Sequence, residues 1–122
     1  MTAYEFIKEC GVFHVLTVYK DAPSGRPFGA LMQHAGKLYI ATSNNKPVYR
    51  HLTLNPNVQL LAIKPATGQW ARVTGTAEES DSMRMKEKML EECPALVKYY
   101  PTANCEGYTL FAITITDEEV ML

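Results

Sequence analysis

"RPFGALMQHAGKLYIATSNNKPVYRHLTLNPNV", residues 26–58, decides the fold because its hydrophobic period changes partway along. Its first part predicts two strands, joined by a tight hairpin turn at Ala35-Gly36. From Lys46 to Leu54 the apolar residues instead recur three and four positions apart, which predicts a short helix. The stretch therefore predicts a β-hairpin whose second strand leads directly into the start of a helix.

Six segments rich in β-branched and aromatic residues predict strands. They are residues 12–20, 26–34, 37–43, 58–64, 70–79 and 107–116, with a turn over 21–25. Helices are predicted over residues 3–10, 46–54 and 80–93, the first of them capped by Thr2. About six strands with hairpin-like links indicate a mainly β fold, an antiparallel β-barrel with peripheral helices, because closure removes the edges that so small an open sheet would expose.

Length and composition predict one ordinary soluble domain over residues 1–122. Apolar residues make up 47% of the chain and charged residues 20%, which is typical of a globular protein. The formal charge of -1 and the dispersed basic residues argue against a nucleic-acid interface. No apolar run approaches the ~18 residues of a membrane span, and the N-terminus lacks a signal pattern, so a cytoplasmic protein is expected. Three widely spaced cysteines and scattered histidines predict neither disulfides nor a metal site.

The start of the helix at Lys46 has the features of an anion site. Helix N-termini carry unpaired N–H groups and partial positive charge, and Lys46 adds a full charge there. Pro47 suits the first turn, and Ser43, Asn44 and Asn45 offer short polar side chains. The simpler alternative is that Asn44 or Asn45 caps the helix and Lys46 points into solvent.

Two further patterns could contribute to a site. In "QWARVTG", residues 69–75, Trp70 and Arg72 lie on one strand face, and small residues lie on the other. Trp and Arg are rich in binding energy, but Trp70 could equally close the barrel end while Arg72 pairs with a surface carboxylate. In "GRPFGAL", residues 25–31, Arg26 and Phe28 share a face, and the glycines let the backbone approach a flat ligand; the alternative is an ordinary start of an edge strand.

Taken in order, these motifs resemble those of a known family. "RPFGALMQHAGKLYIATSNNKPVYRHLTLNPNV" followed by "WARVTGTAE" looks like the flavin-binding split β-barrel proteins, the pyridoxamine 5'-phosphate oxidase-like superfamily, and especially its small single-domain bacterial members. The resemblance covers about residues 4–116. It implies a split β-barrel that binds FMN as a homodimer, with the FMN sites at the interface.

The resemblance also implies roles for individual residues. The strand with Arg26, Pro27 and Phe28 would run along the flavin, and Arg26 would reach the phosphate. The predicted cofactor-binding residues beyond this strand are Thr42 and Ser43 near the ring or ribityl chain, Asn45 and Lys46 at the phosphate, and Trp70 and Arg72 reaching across the dimer interface. No catalytic residue is assigned, and His51 is predicted at the surface.

The implied function is that of an FMN-dependent oxidoreductase acting on an unidentified small molecule, with NAD(P)H or another electron donor. The alternative is a non-catalytic protein that binds flavin, heme or a deazaflavin as a carrier, store or sensor. A true pyridoxamine 5'-phosphate oxidase is not expected, because those enzymes carry a basic C-terminal segment and this chain ends in the acidic "TDEEVML". Relatives linked to nitroimidazole resistance have a histidine where this chain has residues 41–43, so that chemistry is not expected either.

Overall fold

Seven strands and three α-helices make up the computed structural model, which describes all 122 residues. In chain order they are α1 (Ala3–Cys10), β1 (Phe13–Tyr19), β2 (Ala22–Phe28), β3 (Met32–His34), β4 (Lys37–Ser43), α2 (Pro47–Leu54), β5 (Asn57–Lys64), β6 (Gln69–Ser80), α3 (Met83–Glu92), a 3-10 turn (Pro94–Lys98) and β7 (Tyr108–Met121). All pairings are antiparallel, in the order β2-β1-β5-β6-β7-β4-β3. The predicted split barrel with peripheral helices is confirmed. None of the helices combines the length and apolar character that a membrane crossing requires.

The prediction of one strand over residues 26–34 is wrong, because two strands occupy this region. The hairpin turn lies earlier than predicted, at Lys20 and Asp21, which both have positive φ. Residues 21–25, predicted as a turn, therefore mostly belong to β2 and pair with β1. β2 is a terminal strand of the sheet, where the missing N–H groups of its two prolines cost no ladder hydrogen bond.

The last strand also differs from its prediction, since β7 continues to Met121 and not only to residue 116. Its polar end is held by pairing with β6, where Asp117 lies opposite Thr74 and Glu119 opposite Arg72. The sequence analysis ended the strand at residue 116, but backbone pairing with β6 extends it.

Two hydrophobic clusters lie on opposite faces of β4 and β7, which explains why these strands are buried on both sides. Leu38, Ile40, Phe111 and Ile113 pack inside the barrel with α1 and the inner faces of β1, β5 and β6. The alternate residues of the same strands pack under α3, whose Met85 and Met89 are buried. α3 thus covers a second apolar face of the sheet. The 3-10 turn that follows α3 lies near the end of β4.

Gly75 allows β6 and β7 to pack closely at an irregularity in their pairing. The register shifts between Thr74 and Gly75. A Cβ atom on Gly75 would lie only 2.2 Å from the carbonyl oxygen of Thr114, which is shorter than any normal contact. The position therefore requires glycine, as bulged strand positions often do.

Two of the three helices begin with a side-chain cap. Thr2 and Glu5 form a reciprocal capping box at the start of α1, and Gly11 ends that helix with a φ of 78°. Ser82 caps α3, which begins three residues later than predicted because β6 continues to Ser80.

Candidate functional site

A cavity of about 780 Å3 opens between β2, the end of β4, the start of α2 and the segment that follows α3. This volume lies within the roughly 300–1,000 Å3 of typical ligand sites. Six of the nine predicted site residues line it: Arg26, Pro27, Phe28, Thr42, Ser43 and Lys46. Residues far apart in sequence therefore meet at one place, although their role toward a cofactor stays a prediction.

The start of α2 forms one wall of the cavity. Lys46 is the N-cap residue of α2, and its side chain makes no capping hydrogen bond; Pro47 occupies the first turn as predicted. The alternative that Asn44 or Asn45 caps the helix is wrong, because both precede the N-cap position. The exposed side chain of Lys46 has no carboxylate partner, since the ion pairs of the chain are Lys64–Glu9, Arg72–Glu119 and Lys88–Glu92.

Arg26 enters the cavity from β2 and is held by four hydrogen bonds to neutral groups. Its Nη1 donates to the carbonyl oxygen of Val15 (3.1 Å) and to Oγ1 of Thr17 (2.9 Å). Its Nη2 donates to Oγ of Ser24 (2.9 Å) and contacts Nδ1 of His51 at 3.1 Å. Burial lowers the pKa of Arg26, but a guanidinium stays charged in proteins. None of these partners is an anion, so the positive charge is oriented but not neutralised.

His51 is a site residue that the sequence analysis missed, and its prediction as a surface residue is wrong. The side chain is only 8% exposed and lines the cavity. Its ring stacks on Tyr19, with centroids 4.5 Å apart, and its Nδ1 lies 2.9 Å from Oγ1 of Thr17. Burial, and secondly the charge of Arg26, lower the pKa of His51. The imidazole is therefore a neutral acceptor that helps to orient Arg26.

No carboxylate lines the cavity, so its electrostatic character is set by Arg26 and Lys46. Two cations without counter-charge, together with the N-terminus of α2, make this wall complementary to a dianion such as a phosphate. A phosphate group thus fits the positive charge that the chain presents here.

The opposite wall is aromatic and comes from the segment after α3. Leu96, Tyr99 and Tyr100 line the cavity there. The hydroxyl of Tyr100 is hydrogen-bonded to Oγ of Ser43, and its ring stacks on Tyr108, with centroids 4.6 Å apart. The sequence analysis missed this wall because residues 94–106 show no clear period, although the adjacent tyrosines were a usable signal.

Three predicted site residues lie outside the main cavity. Asn45 lines a smaller neighbouring cavity that also includes Lys46. Trp70 and Arg72 lie on the outer face of β6, where the guanidinium is 5.3 Å from the indole ring and 2.6 Å from a carboxylate oxygen of Glu119. The alternative that Arg72 pairs with a surface carboxylate is confirmed for the single chain. A contact of these two residues with a cofactor would require a second copy of the chain.

The order of motifs, the split barrel and the cavity together match one protein family. The family model for pyridoxamine 5'-phosphate oxidase matches residues 2–119, and the chain belongs to this family. It is similar to a solved NimC/NimA family protein from Clostridium acetobutylicum, with 34% identity, a TM-score of 0.86, and coverage of 98% of this chain and 88% of that one. No curated protein matches the chain.

More distant structures share the fold. An F420 reductase has 18% identity and a TM-score of 0.72, with 98% of each chain covered. HutZ, the heme storage protein from Vibrio cholerae, has 17% identity and a TM-score of 0.76, with 99% of this chain and 96% of that chain covered. At these identities the likeness concerns the fold alone.

Proposed function

We propose that the protein binds FMN in the main cavity and acts as a flavin-dependent oxidoreductase on a small molecule. The observation that carries this proposal is the pair of cations, Arg26 and Lys46, which face one carboxylate-free cavity and have no ionic partner in the chain. A phosphate dianion between them would supply the missing counter-charge. Each charge-assisted contact of this kind contributes about 1.5–3 kcal/mol.

The rest of the cavity supports a flat cofactor attached to that phosphate. β2 is the terminal strand of the sheet, so the backbone C=O groups along its outer edge, and the N–H groups that its two prolines leave there, have no ladder partner. Beside this edge, Thr42 and Ser43 bring backbone and hydroxyl groups from the end of β4. The flavin ring supplies the redox chemistry when it is bound, and the chain supplies binding, orientation and exclusion of water.

We also propose a homodimer in which Trp70 and Arg72 of one copy approach the flavin of the other. On the outer sheet face, strand pairing places Ile63 beside Trp70 and Trp70 beside Met121, which makes one continuous apolar row. Ile63 and Met121 are each about half exposed. A second copy of the chain would remove this row from water and bring Trp70 and Arg72 to a second cavity.

The first test is an absorbance spectrum of the purified protein, with the released chromophore identified by mass. We expect a yellow protein that releases FMN, and we expect the double variant Arg26→Ala/Lys46→Ala to lose flavin on gel filtration. A double variant that retains flavin as the wild type does would place the phosphate elsewhere. Release of heme or a deazaflavin would replace FMN while leaving the cavity as the binding site.

A non-catalytic carrier, store or sensor is the second candidate function, and one observation favours it. The cavity is lined by no carboxylate and no thiol. Histidine most often exchanges protons with a substrate, but Nδ1 of His51 is already occupied by Arg26 and Thr17. NAD(P)H oxidation by the FMN-loaded protein at a rate above that of free FMN would support the enzyme. No turnover with NAD(P)H or other common donors would support the carrier.

A further inference from the structure

The aromatic wall of the main cavity has no role in the proposed binding of the FMN phosphate. The cations of that site lie on β2 and at the start of α2, whereas Leu96, Tyr99 and Tyr100 line the cavity from the segment after α3. None of these three side chains is charged, and no carboxylate lines the cavity. The wall therefore offers apolar surface and hydroxyl groups, which suit the uncharged part of a small molecule.

Tyr99 contributes an exposed aromatic ring to this wall. The residue is 67% exposed although it lines the cavity. Its ring packs against that of Tyr100, with centroids 6.4 Å apart and an angle of 54° between the ring planes, and Tyr100 in turn stacks on the buried Tyr108. An exposed ring that is supported by neighbouring rings is a surface on which a planar ligand can stack.

The hydroxyl groups of Ser43 and Tyr100, called here the hydroxyl pair, leave one proton free. They are hydrogen-bonded to each other, and either one can be the donor. Each hydroxyl carries one proton, so their single mutual bond uses one proton and leaves the other without an acceptor in the chain. Both residues line the cavity and are half-buried. Because a hydroxyl hydrogen rotates to suit its surroundings, the free O–H is available to an acceptor on a ligand.

The position of the hydroxyl pair is fixed from two sides. Ser43 belongs to β4, and the ring of Tyr100 stacks on Tyr108 with centroids 4.6 Å apart and an angle of 17° between the ring planes. The hydroxyl of Tyr108 donates to the carbonyl oxygen of Lys86 in α3 over 2.9 Å, which holds the supporting ring in place. A donor whose position is fixed in this way selects ligands by the position of their acceptor atom.

We infer that this wall binds the substrate, and that the substrate is a planar, uncharged molecule with a carbonyl oxygen, such as an aromatic ketone or a quinone. Its ring stacks on Tyr99, and its oxygen accepts the free O–H of the hydroxyl pair. The inference rests on the proposed function, because FMN bound through Arg26 and Lys46 leaves the aromatic wall for a second molecule. One free O–H matches one carbonyl oxygen, whereas an anionic group would be attracted to the two cations instead.

The test of the hydroxyl pair uses two probes of similar shape, 1-indanone, which has a carbonyl oxygen, and indane, which has none. Calorimetric titration into the protein at saturating FMN gives both dissociation constants, so the measurement reports binding and not turnover. We expect Ser43→Ala/Tyr100→Phe to lower the affinity for 1-indanone roughly tenfold relative to that for indane. Tyr108→Phe is the control, since it removes a hydroxyl from the supporting ring outside the cavity, and it should leave the ratio of the two affinities unchanged.

Tyr99→Ala tests the stacking surface separately from the hydrogen bond. It should weaken the binding of both probes by a similar factor, about threefold to tenfold, and leave the ratio of their affinities unchanged. The FMN affinity of this variant, measured by flavin fluorescence, should change by less than about twofold. Because Tyr99 is exposed, its truncation should leave the chain folded, and urea unfolding of every variant checks this.

Several results would overturn the inference. Equal losses for the two probes in the double variant would show that the hydroxyl pair supports the wall and does not bind a carbonyl. A wild type that binds neither probe, or unchanged affinities in Tyr99→Ala, would place the substrate elsewhere. A roughly tenfold loss of FMN affinity in Tyr99→Ala would mean that the flavin itself occupies the wall. If the wild type binds no FMN, the proposed function fails by itself, and the same titrations of the flavin-free protein still decide whether the hydroxyl pair binds a carbonyl.

Discussion

The Arg26 guanidinium donates a hydrogen bond to Nδ1 of His51 over 3.1 Å, and this contact fixes the charge state of the imidazole. Arginine has no acceptor, so Nδ1 must carry a lone pair and the ring must be neutral. A proton on Nδ1 would oppose the guanidinium, whereas an unprotonated Nδ1 can also accept a hydrogen bond from the hydroxyl of Thr17. The lowered pKa of His51, caused first by burial and then by the charge of Arg26, agrees with this geometry.

The first prediction concerns the pH dependence of stability. Because the pKa of His51 is lower in the folded than in the unfolded chain, the unfolded chain binds more protons below its own pKa of about 6.5. The free energy of unfolding should be unaffected by His51 above that pH and fall as the pH drops below it, by at most about 1.4 kcal/mol per pH unit, until the folded pKa is reached. Urea unfolding between pH 8 and pH 5, at about half-unit steps, measures this slope.

The matched variant for this measurement is His51→Gln, which cannot titrate and can still accept a hydrogen bond from Arg26. It should be less stable than the wild type at pH 8 and should lose less stability than the wild type on acidification. Parallel curves of unfolding free energy against pH for the two proteins would show that folding does not change the pKa of His51.

The second prediction tests whether Lys46 binds the phosphate of FMN and not its flavin ring. Lys46→Gln should weaken FMN binding roughly tenfold to a hundredfold, since it removes one charge-assisted contact, and should leave the affinity for riboflavin unchanged. Lys37→Gln, at the opposite end of β4, is the control for loss of a surface charge. Fluorescence titration gives the dissociation constants of both variants and of the wild type for FMN and for riboflavin. Equal losses for FMN and riboflavin would show that Lys46 supports the cavity and not the phosphate.

The third prediction concerns the close approach of β6 and β7. Gly75→Ala should lower the free energy of unfolding by about 1–3 kcal/mol, because its Cβ would meet the Thr114 carbonyl oxygen at 2.2 Å and neither backbone can move without breaking the ladder. Gly29→Ala is the control, since a Cβ there meets nothing within 4 Å. Chemical denaturation at one pH gives the free energies of unfolding of both variants and of the wild type. Equal values for Gly75→Ala and Gly29→Ala would show that the bulge can accommodate the extra Cβ atom.

Local sequence patterns were sufficient to predict the site residues whose positions depend on a single segment of the chain. Arg26 alternates with Phe28 along one strand, and Lys46 precedes a proline at a change of period, so both could be placed from sequence. His51 could not, because its burial depends on Tyr19 and Thr17 of β1, and no local pattern shows that α2 packs against that strand. Tyr100 likewise reaches Ser43 only because α3 turns the chain back over β4.

The strand errors have a similar cause. Residues 22–25 are small and include a proline and a glycine, which is typical of a turn. They nevertheless form an edge strand, because β1 offers a complete set of backbone partners. The polar end of β7 is ordered by β6 in the same way. Propensity describes a segment alone, whereas pairing depends on the neighbouring strand.

The fourth prediction tests whether the outer face of β6 completes the site of a second copy. In the single chain, Arg72 is bound only to Glu119 and lies beside Trp70, with both charged side chains well exposed to solvent. Exposed ion pairs of this kind contribute only about 0–1 kcal/mol to stability. Arg72→Ala should therefore change the stability of the chain by less than about 1 kcal/mol, but weaken FMN binding roughly tenfold or more if the guanidinium reaches the flavin of a partner.

Glu119→Gln is the variant that distinguishes the two roles of Arg72. It breaks the ion pair of the single chain and keeps the guanidinium, so it should leave FMN binding close to that of the wild type. Light scattering of both variants shows whether the dimer persists, and flavin titration of the same samples gives the affinities. If Glu119→Gln weakens FMN binding as much as Arg72→Ala does, Arg72 acts by holding β6 and β7 together, and the flavin site is built from one chain. A wild-type protein that is monomeric and holds FMN tightly would lead to the same conclusion, because no partner would be present to contribute Trp70 or Arg72.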